Sequence, residues 1–172
     1  MYFLTTGRIG FREWRESDRP LAVALWGDIE VTRLIGGPFS HEQIRQRLEN
    51  EIATQRLHRI QYWPIFELAS GIHLGCCGLR PYPKAAKTLE LGFHLRPACQ
   101  GKGFAQEAAL GVIDHAFRTI GIEALFAGHN PKNEKSGMLL GKLGFEYTHD
   151  EFYEPTGLQH PSYLLKRERA AR

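Results

Sequence analysis

The segment Gln100-Gly101-Lys102-Gly103-Phe104-Ala105 stands immediately before a long run of helical periodicity. Two glycines and an alanine at a helix entrance let a ligand approach the backbone closely. The first N–H groups of a helix have no partner within it, and the helix dipole favours negative charge at that end. The hexapeptide therefore reads as an anion cradle, and phosphate is the best-matched ligand. The bland alternative is a glycine-rich turn with a surface lysine. A Walker loop needs G-x-x-x-x-G-K-[ST], which does not occur. A dinucleotide fingerprint starting at Gly101 needs glycine where Gln106 stands. Metal chemistry has little support. There is no H-E-x-x-H and no C-x-x-C, and the adjacent Cys76 and Cys77 would point to opposite faces of a strand.

The elements around the cradle follow from periodicity. Upstream, Thr88–Arg96 alternates with period two. Leu89, Leu91, Phe93 and Leu95 form one apolar face, while Glu90, Gly92, His94 and Arg96 face a site or solvent. Missing bulk at Gly92 would leave room there for a ligand. Downstream, Ala105, Ala108, Ala109, Val112, Ile113, Ala116, Phe117 and Ile120 form one helical stripe. Asp114 and Arg118 pair on its far side. Earlier in the chain, Arg8–Glu13 reads as a strand, and Glu16-Ser17-Asp18 offers a cap for a helix bearing Leu21, Ala22, Leu25 and Trp26. Gly36-Gly37-Pro38 breaks the chain. Ser40 and Gln43 then form a capping box before the stripe Ile44, Leu48, Ile52. Gln61–Leu68 and Ile72–Tyr82 read as a hairpin around Ala69-Ser70-Gly71. Later come a strand over Glu123–Gly128, a helix capped by Asn133 and stopped by Gly144, and strands over Phe145–Thr148 and Pro161–Arg167. This order predicts an α+β layout on a mostly antiparallel sheet.

Composition narrows the class. With 172 residues, 42% of them hydrophobic, the chain is expected to form one domain over 1–172 with its own core. A net charge of +3 is too mild to point to nucleic acid. No apolar run reaches the ~18 residues of a membrane helix. The start lacks a basic segment followed by an apolar one, so a cytoplasmic location is expected.

Four separate stretches, in register, resemble the GNAT superfamily of N-acetyltransferases, and in particular its branch of ribosomal-protein N-terminal (alanine/serine) acetyltransferases. Gln100, Gly103 and Ala105 match the family's [RQ]-x-x-G-x-[GA] loop. Leu89-Glu90-Leu91-Gly92-Phe93-His94-Leu95-Arg96-Pro97 matches the strand before it. Asn130 to Ser136 and Lys142-Leu143-Gly144-Phe145 match a downstream signature, and Thr6 to Trp14 with Asp18 matches the branch's opening. The resemblance implies a three-layer α/β/α fold with about seven strands and four helices, its sheet splayed at a V-shaped cleft. It implies acetyl-CoA as co-substrate and no metal. Backbone of His94, Leu95 and Arg96 would pair with the pantetheine arm. N–H groups across Gly101, Lys102, Gly103, Phe104, Ala105 and Gln106 would hold the pyrophosphate, with Gln100 opening the loop and Lys102 adding charge. Asn133 would bond the pantetheine amides or cap its helix.

Acetyl transfer to an amine needs a base, an oxyanion donor and an acid. Glu90, on the non-core face of the cofactor strand, is the candidate base, acting directly or through water; a plain ion pair on the sheet is the alternative. Many relatives carry a tyrosine acid where this chain has Leu140, so Ser136 is the candidate partner of the thioester sulfur, in an orienting or acidic role. The acceptor pocket is expected between the N-terminal helices, the Trp26–Phe39 loop and the Asp150–His160 segment. Asp28, Glu30, Asp150, Glu151 and Glu154 lie there and would suit a cationic acceptor or merely face water. The acceptor is an amine-bearing small molecule or a peptide N-terminus. A homodimer is left open, and the basic tail Lys166–Arg172 is either a ribosome contact or a frayed end. Two other functions stand behind this one: a non-catalytic acyl-CoA sensor, and an RNA- or ribosome-binding module.

Overall fold

The computed structural model describes residues 1–170. Its strands are β1 (Leu4–Thr5), β2 (Ile9–Phe11), β3 (Tyr62–Glu67), β4 (His73–Pro81), β5 (Thr88–Leu95), β6 (Ala124–Gly128), β7 (Glu146–Tyr153) and β8 (Leu158–Lys166). The helices are α1 (Arg19–Trp26), α2 (Ile29–Thr32), α3 (His41–His58), α4 (Phe104–Asp114), α5 (Glu134–Lys142) and the single turn α6 (Arg167–Ala170). Ala171 and Arg172, the end of the basic tail, lie outside the described residues.

All eight strands join one sheet in the order β1-β2-β3-β4-β5-β6-β8-β7. Every neighbouring pair is antiparallel except β5–β6, whose parallel pairing requires the α4 crossover. One face packs Leu91, Ala108, Val112, Leu125 and Leu140 into the larger core beneath α4 and α5. The other packs Trp14, Leu25, Trp26, Ile44, Leu48 and Tyr62 beneath α1 and α3. Cys77 belongs to the first core and Cys76 to the second, as strand alternation requires. The result is the expected three layers, with eight strands rather than seven.

The capping box at Ser40 forms as expected, with Gln43 N donating to Ser40 Oγ at 3.2 Å and Ser40 N to Gln43 Oε1 at 2.8 Å. Asp18 behaves differently. It stands at the start of α1 but makes no side-chain cap. Its carboxylate instead takes a forked pair of hydrogen bonds from Arg12 at 2.6 and 2.8 Å, a stronger arrangement than a neutral cap. The long helix ends earlier than its stripe: after Asp114 the chain widens into a π-helical turn over His115–Ile120. The last hairpin is longer than expected, because β7 is an exposed edge strand with polar residues on both faces and so carries no alternation to read.

The feature that positions the site is the parting of β5 and β6. Their ladder pairs Thr88 with Ala124, Leu89 with Leu125 and Glu90 with Phe126, and goes no further. β5 nevertheless runs on to Leu95, still paired with β4. The two parallel strands therefore diverge beyond Glu90, opening the expected cleft.

Candidate active site

Glu90 occupies the last rung before the strands separate. It lies directly opposite Arg80 on β4, so both side chains project toward the α1 and α3 layer. Tyr62 Oη donates to Glu90 Oε1 at 3.0 Å, and the Arg80 guanidinium lies 4.0 Å over the Tyr62 ring. Arg80 is also paired with Glu51, whose side chain is 2% exposed. Gly92 leaves room for Tyr62 rather than for a ligand: a Cβ at this glycine would stand 2.1 Å from Tyr62 Oη.

Burial shapes the electrostatics. It raises the Glu90 carboxyl, while Arg80 and the Tyr62 hydrogen bond pull the other way. Burial also drives the Tyr62 phenol well up, with the Glu90 charge adding to the effect, so Tyr62 stays protonated and donates. His94 sits deep on the same face, where Trp26 Nε1 donates to its Nδ1 at 3.3 Å. Burial, helped by Arg47 and Arg80, holds His94 neutral. Cys76, 3.7 Å from His94 Nδ1, has its thiol pushed up to about 12 by burial and is inert as a nucleophile.

The cradle has the conformation its glycines allow. Gly101 (φ +75°) and Gly103 (φ +81°) are both left-handed, and Gly103 is the N-cap of α4. A Cβ on Gly101 would meet nothing within 4 Å, so open space faces the turn. Lys102 and Gln106 are exposed, Phe104 is buried in the larger core, and Ala105 packs against it. Gln100 folds back, its Nε2 donating to the Leu95 carbonyl at 3.2 Å. The loop is tied to the N-terminus by Glu107, which accepts from Thr6 Oγ1, Arg8 N and Arg8 Nε, each at 2.7 Å. Arg8 also donates to the Lys102 carbonyl at 3.2 Å and covers the Phe104 ring at 4.5 Å. Burial opposes ionisation of Glu107, but these hydrogen bonds outweigh it and lower its pKa.

Of the expected pantetheine strand, Arg96 has its N–H engaged by the Leu74 carbonyl at 2.9 Å. Antiparallel alternation then turns the backbone of His94 and Arg96 toward β4 and that of Phe93 and Leu95 toward the opening. Across the cleft, Asn133 caps α5 by accepting from Ser136 N at 3.2 Å. Ser136 is half-buried in the first turn of that helix, and Leu140 is buried in the core one turn on. On the expected acceptor side, Asn130 Nδ2 donates to the Leu34 carbonyl at 3.1 Å, and Gly36 abuts Pro155. The carboxylates expected there are largely engaged: Asp28 caps α2, Glu30 pairs with Arg33, and Glu151 pairs with Lys84. His160 bonds Thr156 at 2.8 Å and is kept neutral chiefly by burial.

The arrangement is a left-handed glycine turn opening onto a helix start, a parted pair of parallel strands and a half-buried carboxylate at their root. A family model described as an acetyltransferase (GNAT) domain matches residues 8–146. The chain belongs to the GNAT acetyltransferases. Among curated relatives, it is 27% identical over 150 residues to an uncharacterized N-acetyltransferase p20 of Bacillus licheniformis, covering 85% of this chain and 83% of that one. It is 41% identical over 56 residues, 33% of this chain and 29% of the relative, to the [ribosomal protein uS5]-alanine N-acetyltransferase of Escherichia coli (strain K12). Among solved structures, a RimL ribosomal L7/L12 alpha-N-protein acetyltransferase in complex with coenzyme A superimposes with a TM-score of 0.79 at 16% identity, covering 94% of this chain and 95% of that one. As a GNAT protein the chain is an acetyl-CoA-dependent N-acetyltransferase. No helix among the described residues is long and apolar enough to cross a membrane.

Sequence reading missed four contributors. Tyr62 and Arg80 read as ordinary strand residues, although Arg80 shares the Cys76, Gly78 face of β4 by alternation. Glu107 offered one local signal, an acid in the first turn of α4. Arg8 offered none of its own.

Proposed function

We propose that the chain acetylates a primary amine by direct attack within a ternary complex, with Glu90 as the base. The observation that carries this reading is the position of Glu90: a half-buried carboxylate on the last paired rung of the two strands that part. The residues present fit acetyl-CoA. Left-handed Gly101 and Gly103 expose the start of α4, and open space faces Gly101. N–H groups from Gly101 to Gln106 would hold its pyrophosphate, and the outward backbone of Phe93 and Leu95 would meet its pantetheine arm. Bound acetyl-CoA supplies an activated acetyl thioester.

The chain's own residues do the rest. The ammonium form of an acceptor has no lone pair, so the neutral amine attacks, and it must lose a proton as the C–N bond forms and the C–S bond breaks to release the thiolate. Glu90 accepts that proton, directly or through one water. Tyr62 holds one carboxylate oxygen in place and, staying protonated, does not compete for the proton. Asn133 fixes the first turn of α5, and Ser136 there orients the thioester sulfur. With Leu140 in the tyrosine's place, no phenol is supplied at that position.

The acceptor is an amine-bearing small molecule or a protein N-terminus; the uS5-alanine acetyltransferase relative supports the latter. A thermal-shift titration with acetyl-CoA, followed by thiol release across an amine panel, tests the proposal. Acetyl-CoA binding only the native state raises the unfolding midpoint. Intersecting initial-velocity lines are expected. Binding without turnover of any amine would leave a sensor instead.

A further inference from the structure

A second polar feature adjoins Glu90. A cavity of about 410 Å³ lies along α3, lined by Arg47, Glu51 and Arg80 and by the amides of Gln43, Gln46 and Asn50. Arg80, which lines the cavity, stands directly opposite Glu90 on the same face of the sheet. Arg47 lies over the Trp26 and Phe39 rings, at 5.0 and 5.6 Å. Its Nε is enclosed and has no hydrogen-bond partner among the described residues. An enclosed guanidinium N–H without an acceptor is costly and rare in folded proteins. The other charges do not relieve it. Arg80 already holds Glu51 and faces Glu90 across the ladder, so Arg47 is the guanidinium left without an ion pair among the described residues. The surrounding amides are donors suited to a planar anion.

We infer that this cavity seats a carboxylate carried by the acceptor amine, with Arg47 as its ion-pair partner. The acceptor class is then an amino acid or short peptide with a free carboxylate, not a polyamine. A single guanidinium without an ion pair matches a monoanion; a phosphate dianion would meet repulsion from Glu51 and Glu90. The inference rests on the acetyl-transfer reading, because it takes Glu90 to mark the acceptor side. Arg47 is a specificity residue here, since it would touch the acceptor away from the reacting nitrogen.

The experiment uses the full chain and matched probes. N-acetylated amino acids and their primary amides measure binding without turnover. Free amino acids, dipeptides, their amides and phosphoethanolamine measure acetylation by thiol release. Acids are expected to bind at least tenfold more tightly than their amides, and kcat/KM is expected to favour them by a similar factor through KM. Arg47→Gln should bring both ratios to about one. Gln46→Glu, which adds a carboxylate to the same wall, should narrow them independently if Arg47→Gln fails to fold. Equal binding of acid and amide by the native chain overturns the inference, whether or not any amine is acetylated. Tighter binding of phosphoethanolamine than of the carboxylates overturns the monoanion assignment. Selective binding of acids with no acetylation of any amine leaves the cavity in place and removes the acetyl-transfer reading.

Discussion

Glu90 is held between opposing influences: burial favours its neutral form, and Arg80 and Tyr62 favour the charged one. A carboxyl raised above its ordinary range is a better proton acceptor, because base strength follows pKa. The Tyr62 contact depends on Gly92, where a side chain would collide with the phenol. Gly92→Ala is therefore expected to displace Tyr62 and destabilise the fold by about 1–3 kcal/mol, the usual cost of overpacking, read from the urea midpoint. Strand alternation alone places Glu90 on the site-facing side. It does not assign Gly92 a role, since an absent side chain is equally an opening for a ligand and a recess for a neighbour. Only the long-range pairing of Tyr62 with Gly78, next to Gly92 on the sheet, decides between them.

Among the elements, α4 and its cradle depend on a distant tether. Glu107 binds Thr6 and Arg8, and Arg8 in turn grips the Lys102 carbonyl. Glu107→Ala removes charge-assisted hydrogen bonds of a type worth roughly 1.5–3 kcal/mol and should raise the KM for acetyl-CoA about tenfold, with a smaller change in kcat. Steady-state kinetics at saturating amine checks this; an unchanged KM would show that the loop holds its shape without the tether. The glycine turn before α4 was legible from two glycines before a helical stripe, because both signals are local. The tether was not, because it joins residues about a hundred positions apart. Helix α3 and the Tyr62–Glu67, His73–Pro81 hairpin were legible for the same local reasons: a capping box, and two strands around a glycine turn. The β7–β8 hairpin outran its signal because an exposed edge strand needs no apolar face.

Across the whole molecule, charge is sequestered between the sheet and its helical layers, and this sets the response to pH. His73 is buried beside the Trp14 and Phe66 rings, and neither ring nitrogen meets a well-formed hydrogen-bond partner. Burial, with Arg96 and Arg12 nearby, outweighs a backbone contact with Gly75 and the Asp18 charge and lowers its pKa from 6.5 to about 4. The unfolded chain therefore binds a proton first as pH falls, and stability is lost between those two values. The loss from pH 7 to pH 5 is expected to be about 2 kcal/mol from this residue. His94, His115 and His160 are lowered in the same direction and add to it. His73→Leu should flatten the dependence of the unfolding midpoint on pH; an unchanged slope would place its origin elsewhere. At the same scale, the parting of β5 and β6 leaves the left-handed glycine turn beyond the far end of β5 and a half-buried carboxylate at the root of the opening. The order of strands and helices was legible from periodicity and the layering from the family resemblance, but the rung at which pairing stops was not, because it depends on how two distant strands diverge. The most direct test of that arrangement is the pH profile of kcat/KM for the amine, compared between the native chain and Glu90→Gln. The native chain should gain activity with pH through two deprotonations, of Glu90 and of the amine. The variant should lose about 10²–10⁴ in rate and keep only the amine's limb. A variant within threefold of the native rate, with the same profile, would contradict Glu90 as the base.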